Sequence, residues 1–353
     1  MSTTLAKRIV RLCVPMLLLL ATEPARAQLP GLTITGDPAS QAGATWTYTR
    51  TVDSVAYDLR GILFRPAQGS APFPAVIINH GTGGNAFGYS RAIARRMVEW
   101  GYVCIATNLC HAGGVPIGSP GDSTLANFGA SESNYRRVLA CRDILAALGV
   151  VDTLCLAVFG HSRGAFTSTG VVAAFPSMFS CAGHTAGGVS PEDGATAPSA
   201  AQAAAIRCPY IIHHGDADNV VPLAMDELLR SVLANGGVTH EFHVYPGVTH
   251  AGLAQDSVMF ARTREFFETH ICVKPSSIAA PAMGDAPRLY PNPTSGMVHV
   301  VADDVRSVQV FTLLGVLVAS ERGSEVDMRA LPPGVYTVRV ETRSAVTIHR
   351  ILR

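Results

Sequence analysis

Lysine is almost missing from this chain: Lys7 and Lys274 are the only two among 353 residues, and arginine supplies the rest of the 27 basic side chains. With 26 acidic residues the formal charge is +1 at pH 7, and no basic stripe runs along any segment. Binding to nucleic acid needs such a footprint, so no nucleic-acid partner is expected. Long apolar runs are missing too. The run "VPMLLLLA" near the start is much shorter than the about 20 residues a membrane-spanning helix needs, and no later stretch is longer, so no stable transmembrane segment is expected. There is no CxxC pair, no GxxxxGK[ST] and no GxGxxG spacing, which argues against a zinc knuckle, a redox motif or a phosphate cradle. No repeat of solenoid type is present. Neither a cofactor nor a metal is called for.

What is present is apolar. Aliphatic and aromatic residues make up 48% of the chain and charged residues only 15%, ample for a large core plus a smaller second unit. The first 27 residues stand apart: "KRIVRLC" is basic, "VPMLLLLA" is apolar, and "ARA" ends in small residues. This is the pattern of a secretory signal cut before Gln28. Cys13 goes with it, leaving Cys104, Cys110, Cys141, Cys155, Cys181, Cys208 and Cys272. Export permits disulfides, and an odd number leaves at least one thiol unpaired within a single chain. The pairing stays open.

From Pro74 to His270, short branched apolar runs alternate with longer helical patterns. Strands are predicted at 74–80, 102–108, 153–160, 181–187, 209–215 and 240–247, and helices at 89–99, 132–148, 163–174, 223–235 and 256–269. Nearly continuous apolar strands suit a sheet covered by helices on both faces, so the fold class is α/β with a mainly parallel sheet. "ATWTYTR" and "YDLRGILFRP" read as an antiparallel lead-in at its edge. Composition changes over 273–287, where Pro, Gly, Ser and Ala mark a linker. Beyond it, short alternating strands and turns at Gly315 and Pro332-Pro333-Gly334 predict a small all-β sandwich over 288–353, with the catalytic unit occupying 28–272.

The chemistry concentrates at "VFGHSRGAF". A strand pattern precedes Ser162 and a helical pattern follows it, so the serine sits at a sharp strand-to-helix turn. Gly160 and Gly164 have a physical reason to lack side chains there, because the turn packs tightly against neighbouring backbone. The hydroxyl is pushed out at the carboxyl edge of the sheet, beside a helix N-terminus that favours developing negative charge. A nucleophilic serine needs a base, and the base an acid. "YIIHHGDADNVVP" and "HVYPGVTHAG" close two later strands and supply Asp218, with Asp216 as the alternative acid, and His250. His161 is expected to point away from the serine and to act as a packing or hydrogen-bonding group. His213 and His214 look like a metal pair, yet neighbours on a strand face opposite sides.

With these three segments in order, residues 60 to 270 resemble the α/β-hydrolase superfamily, especially its dienelactone hydrolase-like and acetyl-esterase-like branches. Gly215, Asp218, Val221 and Pro222 match the family pattern G-x-x-D-x-x-V-P, and His250 before Ala251 and Gly252 matches its late loop histidine. The resemblance implies Ser162 as nucleophile, Asp218 as acid and His250 as base. "NHGTGGNAFGY" resembles the family's HG-type loop at His80 and Gly81, which implies oxyanion donors at the N–H groups of Arg163 and of Thr82, with Gly83 as the alternate to Thr82. The Gly-His-Ser-Arg-Gly elbow departs from the Gly-His-Ser-Met-Gly form of cutinase-like members. Gly83, Phe87, Tyr89, His184 and Thr185 are the candidate substrate walls. The Gly/Pro/Ser-rich loop over 109–131 lies at the same edge as a further wall or partial lid.

The tail "LYPNPTSGMVHV…LPPGVYTVRVET" resembles the C-terminal sorting domain read by the type IX secretion system of Bacteroidetes-type bacteria. Tyr290, Pro291, Asn292, Pro293, Thr294 and Gly296 carry its opening, and Gly315, Gly334, Val335 and Tyr336 its later signatures. The resemblance implies periplasmic transit, contact with the secretion machinery, and release or attachment at the outer surface. A polymer-binding sandwich is the alternative for the tail. For the whole chain the sequence points to a secreted serine carboxylic-ester hydrolase acting on short-chain, acetylated-polysaccharide or polyester substrates. A peptidase of related fold and a non-catalytic binding protein remain open beside it.

Overall fold

The computed structural model describes residues 29–52, 55–114, 125–192, 196–272, 287–291, 294, 296–302, 304–312, 316–332, 334–343 and 346–353. The expected signal at 1–27, the linker up to residue 286, and Asn292, Pro293, Gly315 and Pro333 lie outside these residues.

Nine strands form one sheet. In chain order they are β1 (Leu32–Thr35), β2 (Ala44–Val52), β3 (Val55–Phe64), β4 (Phe73–Asn79), β5 (Val103–Thr107), β6 (Val151–His161), β7 (Cys181–Thr185), β8 (Tyr210–Gly215) and β9 (His240–Tyr245). Their spatial order is β1-β2-β3-β5-β4-β6-β7-β8-β9. The first three strands are antiparallel, β3 meets β5 antiparallel, and every pairing from β5 to β9 is parallel. The lead-in at the sheet edge and the parallel body therefore stand where the apolar patterning put them.

Alternate residues of the central strands feed two cores. Ala75 and Ile77 of β4 face one layer, formed with α2 (Glu132–Ala147), α3 (Arg163–Ala174) and α5 (Leu223–Asn235). Val76 and Ile78 face the other, formed with α1 (Arg91–Met97) and α6 (Ser257–His270). A short α4 spans Ala200–Ala203. Because both faces are covered, the strand reads as an apolar run without alternation. The helix predicted from 89 is instead a π-type turn over Ala86–Ser90 leading into α1, started by Asn85, whose side chain accepts from the N–H groups of Phe87 (3.0 Å) and Gly88 (2.8 Å). A disulfide joins Cys155 within β6 to Cys272, closing 117 residues of chain, and the other five cysteines in the described residues are buried thiols.

The C-terminal part forms two antiparallel sheets. One is ordered β10 (Arg288–Tyr290), β11 (Met297–Val301), β14 (Glu325–Asp327); the other β13 (Leu317–Arg322), β12 (Val305–Thr312), β15 (Val335–Thr342), β16 (Val346–Leu352). Val308 pairs with Val340 and Val310 with Val338, all fully buried beside Val298, Val326 and Met328. Strands β10 and β14, three residues each, are too short to give an alternating pattern and were not foreseen.

Candidate active site

Ser162 stands between β6 and α3 with φ 55° and ψ −124°, a left-handed conformation that costs a non-glycine residue about 1–3 kcal/mol. The turn survives because its neighbours leave no alternative. A side chain at Gly160 would strike the carbonyl of Gly164, and one at Gly164 would strike the carbonyls of Asn79 and His80. The Ser162 N–H donates to the Thr185 carbonyl at 3.1 Å, and its own carbonyl accepts from Phe166 at 3.1 Å as α3 begins. The strain thus serves to present the hydroxyl.

Two other strand ends bring the partners. His250 Nε2 lies 2.9 Å from Ser162 Oγ, and His250 Nδ1 lies 2.7 Å from Asp218 Oδ2. Asp218 Oδ1 accepts from the N–H groups of Val220 (2.8 Å) and Val221 (2.9 Å). Burial works against the Asp218 charge, but those amides and His250 outweigh it and hold the carboxyl below its ordinary range. Its side chain is 1% exposed and that of His250 17%, so the pair opens to solvent only at the imidazole. Asp216, the alternative acid, is exposed and accepts from the Gly247 N–H at 2.6 Å, which closes the loop carrying His250.

The glycine-rich loop after β4 lies against the serine. A side chain at Gly81 would meet Ser162 Cβ at 3.0 Å. Two buried histidines fix that loop. His80 Nδ1 donates to the Gly81 carbonyl (2.9 Å) while its Nε2 accepts from Leu109 N–H (2.9 Å), and His111 Nε2 donates to the His80 carbonyl (2.9 Å). Burial lowers His80 to about 4 and His111 to about 3, so both rings are neutral. The Arg163 N–H belongs to the first turn of α3, which has no carbonyl one turn back to accept it. Thr82 stands in the exposed loop after β4.

The expected walls divide. Gly83 is exposed. Phe87 is half-buried against the core layer of α1 and α6. Tyr89 stacks on His161, ring centroids 5.3 Å apart. His184 and Thr185 are no walls. Both are fully buried in β7, with His184 held by Asp226 (2.8 Å) and Tyr210 (2.8 Å) and Thr185 by His161 (2.9 Å). Continuous burial of "CAGHT" on both faces placed the strand end inside the protein, where the apolar pattern gave no edge. His161 is a packing and hydrogen-bonding group, bound to Thr185 and stacked on Tyr89; its ring also lies 4.9 Å from that of His250, and burial together with His250 lowers it to about 4. His213 and His214 do face opposite ways, His213 toward Tyr245 and Thr263, His214 toward Asp226 and Val221.

Arg163 extends its guanidinium over the Phe128 ring at 4.8 Å, and Phe128 packs edge-on against His111. Phe128 belongs to the described end of the 109–131 loop; residues 115–124 lie outside the described set. That end is anchored where Ala130 N–H donates to Thr196 and the Thr167 hydroxyl to Gly129. A cavity of about 430 Å³ lies elsewhere, between Ala39–Gln41, Phe64–Gln68 and Arg95–Gly101, and none of the site residues lines it.

A serine, an imidazole and a carboxylate in contact in this order have the layout of a hydrolase triad. The family model for dienelactone hydrolases matches residues 59–265. The chain belongs to the dienelactone hydrolase family. A second model, for a secretion system C-terminal sorting domain, matches residues 288–352. A type IX sorting tail thus follows the family's hydrolase domain and indicates export to or beyond the outer membrane, as in Bacteroidetes. Among the described residues no helix is long and apolar enough to cross a membrane. A comparison with curated proteins gives no match.

Solved structures agree on the fold. An acylaminoacyl peptidase of Pyrococcus horikoshii is similar with TM-score 0.52 and 15% identity over 63% of this chain and 41% of its own. Dipeptidyl peptidase 4 of Porphyromonas gingivalis gives 0.52 and 16% over 65% and 36%. A cold-adapted esterase from an Arctic intertidal metagenomic library gives 0.50 and 20% over 65% and 94%. The chain spans about two fifths of the first peptidase and little more than a third of the second, but matches nearly all of the esterase. At these identities the likeness concerns the fold, a serine-hydrolase-type α/β-hydrolase.

Proposed function

We propose that this protein is an exported carboxylic-ester hydrolase in which Ser162 is the nucleophile, His250 the general base and Asp218 the orienting acid. The observation that carries the reading is the unbroken contact from Ser162 Oγ to His250 at 2.9 Å and from His250 to Asp218 at 2.7 Å. Asp218, ionised, accepts the Nδ1–H of His250, which leaves Nε2 as the lone pair facing the hydroxyl. As Ser162 Oγ attacks the ester carbonyl, its proton passes to Nε2, and the oxyanion accepts hydrogen bonds from Thr82 and Arg163. The C–O bond to the leaving alcohol breaks as Nε2–H protonates that oxygen. Water then attacks the acyl-enzyme by the same route, with His250 taking its proton, and releases the acid with Ser162 restored. The imidazolium formed in between is balanced by Asp218 on one side and meets the neutral His161 ring on the other.

The substrate class follows from exposure. The Thr82–Gly83 loop and Val220 beside Asp218 are open to solvent. A shallow, open rim suits short-chain esters or chain segments of acetylated polysaccharide and polyester better than an engulfed lipid. The sorting tail, meeting the secretion machinery, would deliver the enzyme to such material outside the cell.

The test is a panel of p-nitrophenyl acyl esters, acetyl-xylan, polyester film and peptide amides, assayed with wild type and Ser162→Ala. Ester turnover that the substitution abolishes is the expected result. Turnover of peptides without esters would move the protein to a peptidase, and no turnover of any member would favour a binding role.

A further inference from the structure

Behind Asp218 lies a second histidine whose environment is set as closely as that of His250. His214 is fully buried. Its Nδ1 lies 2.7 Å from Asp226 Oδ2, and its Nε2 lies 3.0 Å from the Val221 carbonyl and 3.4 Å from Asp218 Oδ2. A carbonyl oxygen and an ionised carboxylate only accept, so with Asp226 ionised both ring nitrogens carry hydrogen. Asp226, also fully buried, takes His184 Nε2 at 2.8 Å on Oδ1 and the Gly187 N–H at 3.4 Å on Oδ2, the set of donors an ionised carboxylate requires. From His184 the contacts continue to the Tyr210 hydroxyl (2.8 Å) and on to Thr169 (2.7 Å) in α3, the helix that Ser162 begins.

We infer that His214 is a permanent imidazolium, a positioning residue that fixes the ionised Asp218 toward His250 and sets how readily His250 takes up a proton. The inference rests on reading Asp218 as the acid of the triad. Its physical basis is an alternating row of charge away from water: Asp218 negative, His214 positive, Asp226 negative. Either carboxylate alone at that depth would be costly, and the shared cation offsets both. It also draws on the same Asp218 oxygen that holds His250, so the field of Asp218 at His250 is reduced.

The titratable groups around His214 are Asp226 from α5, Asp218 from the loop after β8, His184 from β7 with Tyr210 behind it, and His250 beyond Asp218; on β9 its register neighbour is Val244. Burial disfavours charge on His214, but the bond and charge of Asp226, the Val221 carbonyl and Asp218 outweigh it and raise its proton affinity. Burial would likewise raise Asp226, yet His184 and His214 hold it at about 2.

Two measurements test this. In ¹⁵N-histidine-labelled full-length protein, side-chain ¹⁵N–¹H correlation at pH 7.5 is expected to show one ring with both nitrogens protonated, absent in His214→Gln. Finding every ring neutral there would overturn the inference. In His214→Gln, loss of the cation leaves Asp218 to favour protonated His250 more strongly, so the acid limb of kcat/KM for a neutral ester is expected to move up by about half to one pH unit. A lower rate with an unmoved limb would mean a packing role only and would overturn it. Should His214→Gln fail to fold, Asp226→Asn takes its place: the doubly protonated ring is expected to disappear at pH 7.5, and its survival would overturn the inference. A neutral His214 in an active esterase defeats this inference alone; an imidazolium in a protein without turnover defeats the functional reading alone.

Discussion

The two parts of this molecule bury different things. Among the described residues, nearly all of the buried polar and charged side chains belong to the hydrolase part, and Thr294 is the single one in the tail. The tail is held by a valine-rich core, Val298, Val308, Val310, Val326, Val338 and Val340. The hydrolase part buries nine-strand sheet and helices in the same apolar way, yet threads through them His80, His111, His161, His184, His213, His214 and Asp226. Each costs desolvation unless its partners are complete. A sorting address needs only a stable shape. A catalytic rim needs groups held in one orientation and one protonation state, and polar burial is how this chain supplies them.

The largest effect should come from removing the base. His250→Ala is expected to lower kcat by roughly 10⁴- to 10⁶-fold, measured on a p-nitrophenyl ester, with little change in thermal unfolding because the ring is at the surface end of its network. The disulfide comes next. Cys155→Ser with Cys272→Ser, or reductant alone, is expected to cost the hydrolase unit roughly 2–5 kcal/mol in denaturant unfolding, since the bridge closes a long loop. Unfolding of the tail should be unaffected. The mirror experiment is Val310→Ala, which removes fully buried methyl groups from the tail. A loss of about 2 kcal/mol there with unchanged ester kinetics would sharpen the contrast; a fall in kcat would break it.

Acid should separate the two parts more gently. His80 and His161 are lowered to about 4 and His111 to about 3, all by burial first. The unfolded chain therefore takes up protons before the folded one as pH falls. Stability is expected to decline from about pH 6.5 toward 4, by about 1.4 kcal/mol per pH unit for each group. Circular dichroism melts across that range check it. The tail, where His349 is only partly buried, should respond far less.

Much of this was legible in the sequence because its signals are local. Continuous runs such as "PAVIINH" mark covered strands, and the glycines around Ser162 mark a turn that only small residues allow. The three ordered segments single out Ser162, Asp218 and His250, which the fold brings into contact. What escaped was burial at strand ends. "CAGHT" and "YIIHHG" gave no hint that His184 and His214 would meet each other's acid inside the fold. A signal did exist: Asp226 shares the i, i+3, i+7 face of α5 with Leu229 and Leu233, a carboxylate on a buried apolar stripe. A charge in that position needs a buried partner, and His214 on the preceding strand was the nearest supply.

The central claim is that Ser162 is an activated nucleophile, and covalent labelling tests it most directly. Folded protein treated with a fluorophosphonate should gain one adduct by intact mass, mapped to Ser162 after digestion and absent in His250→Ala over the same time. Folded wild-type protein that stays unmodified, or that is labelled equally well without His250, would contradict the account.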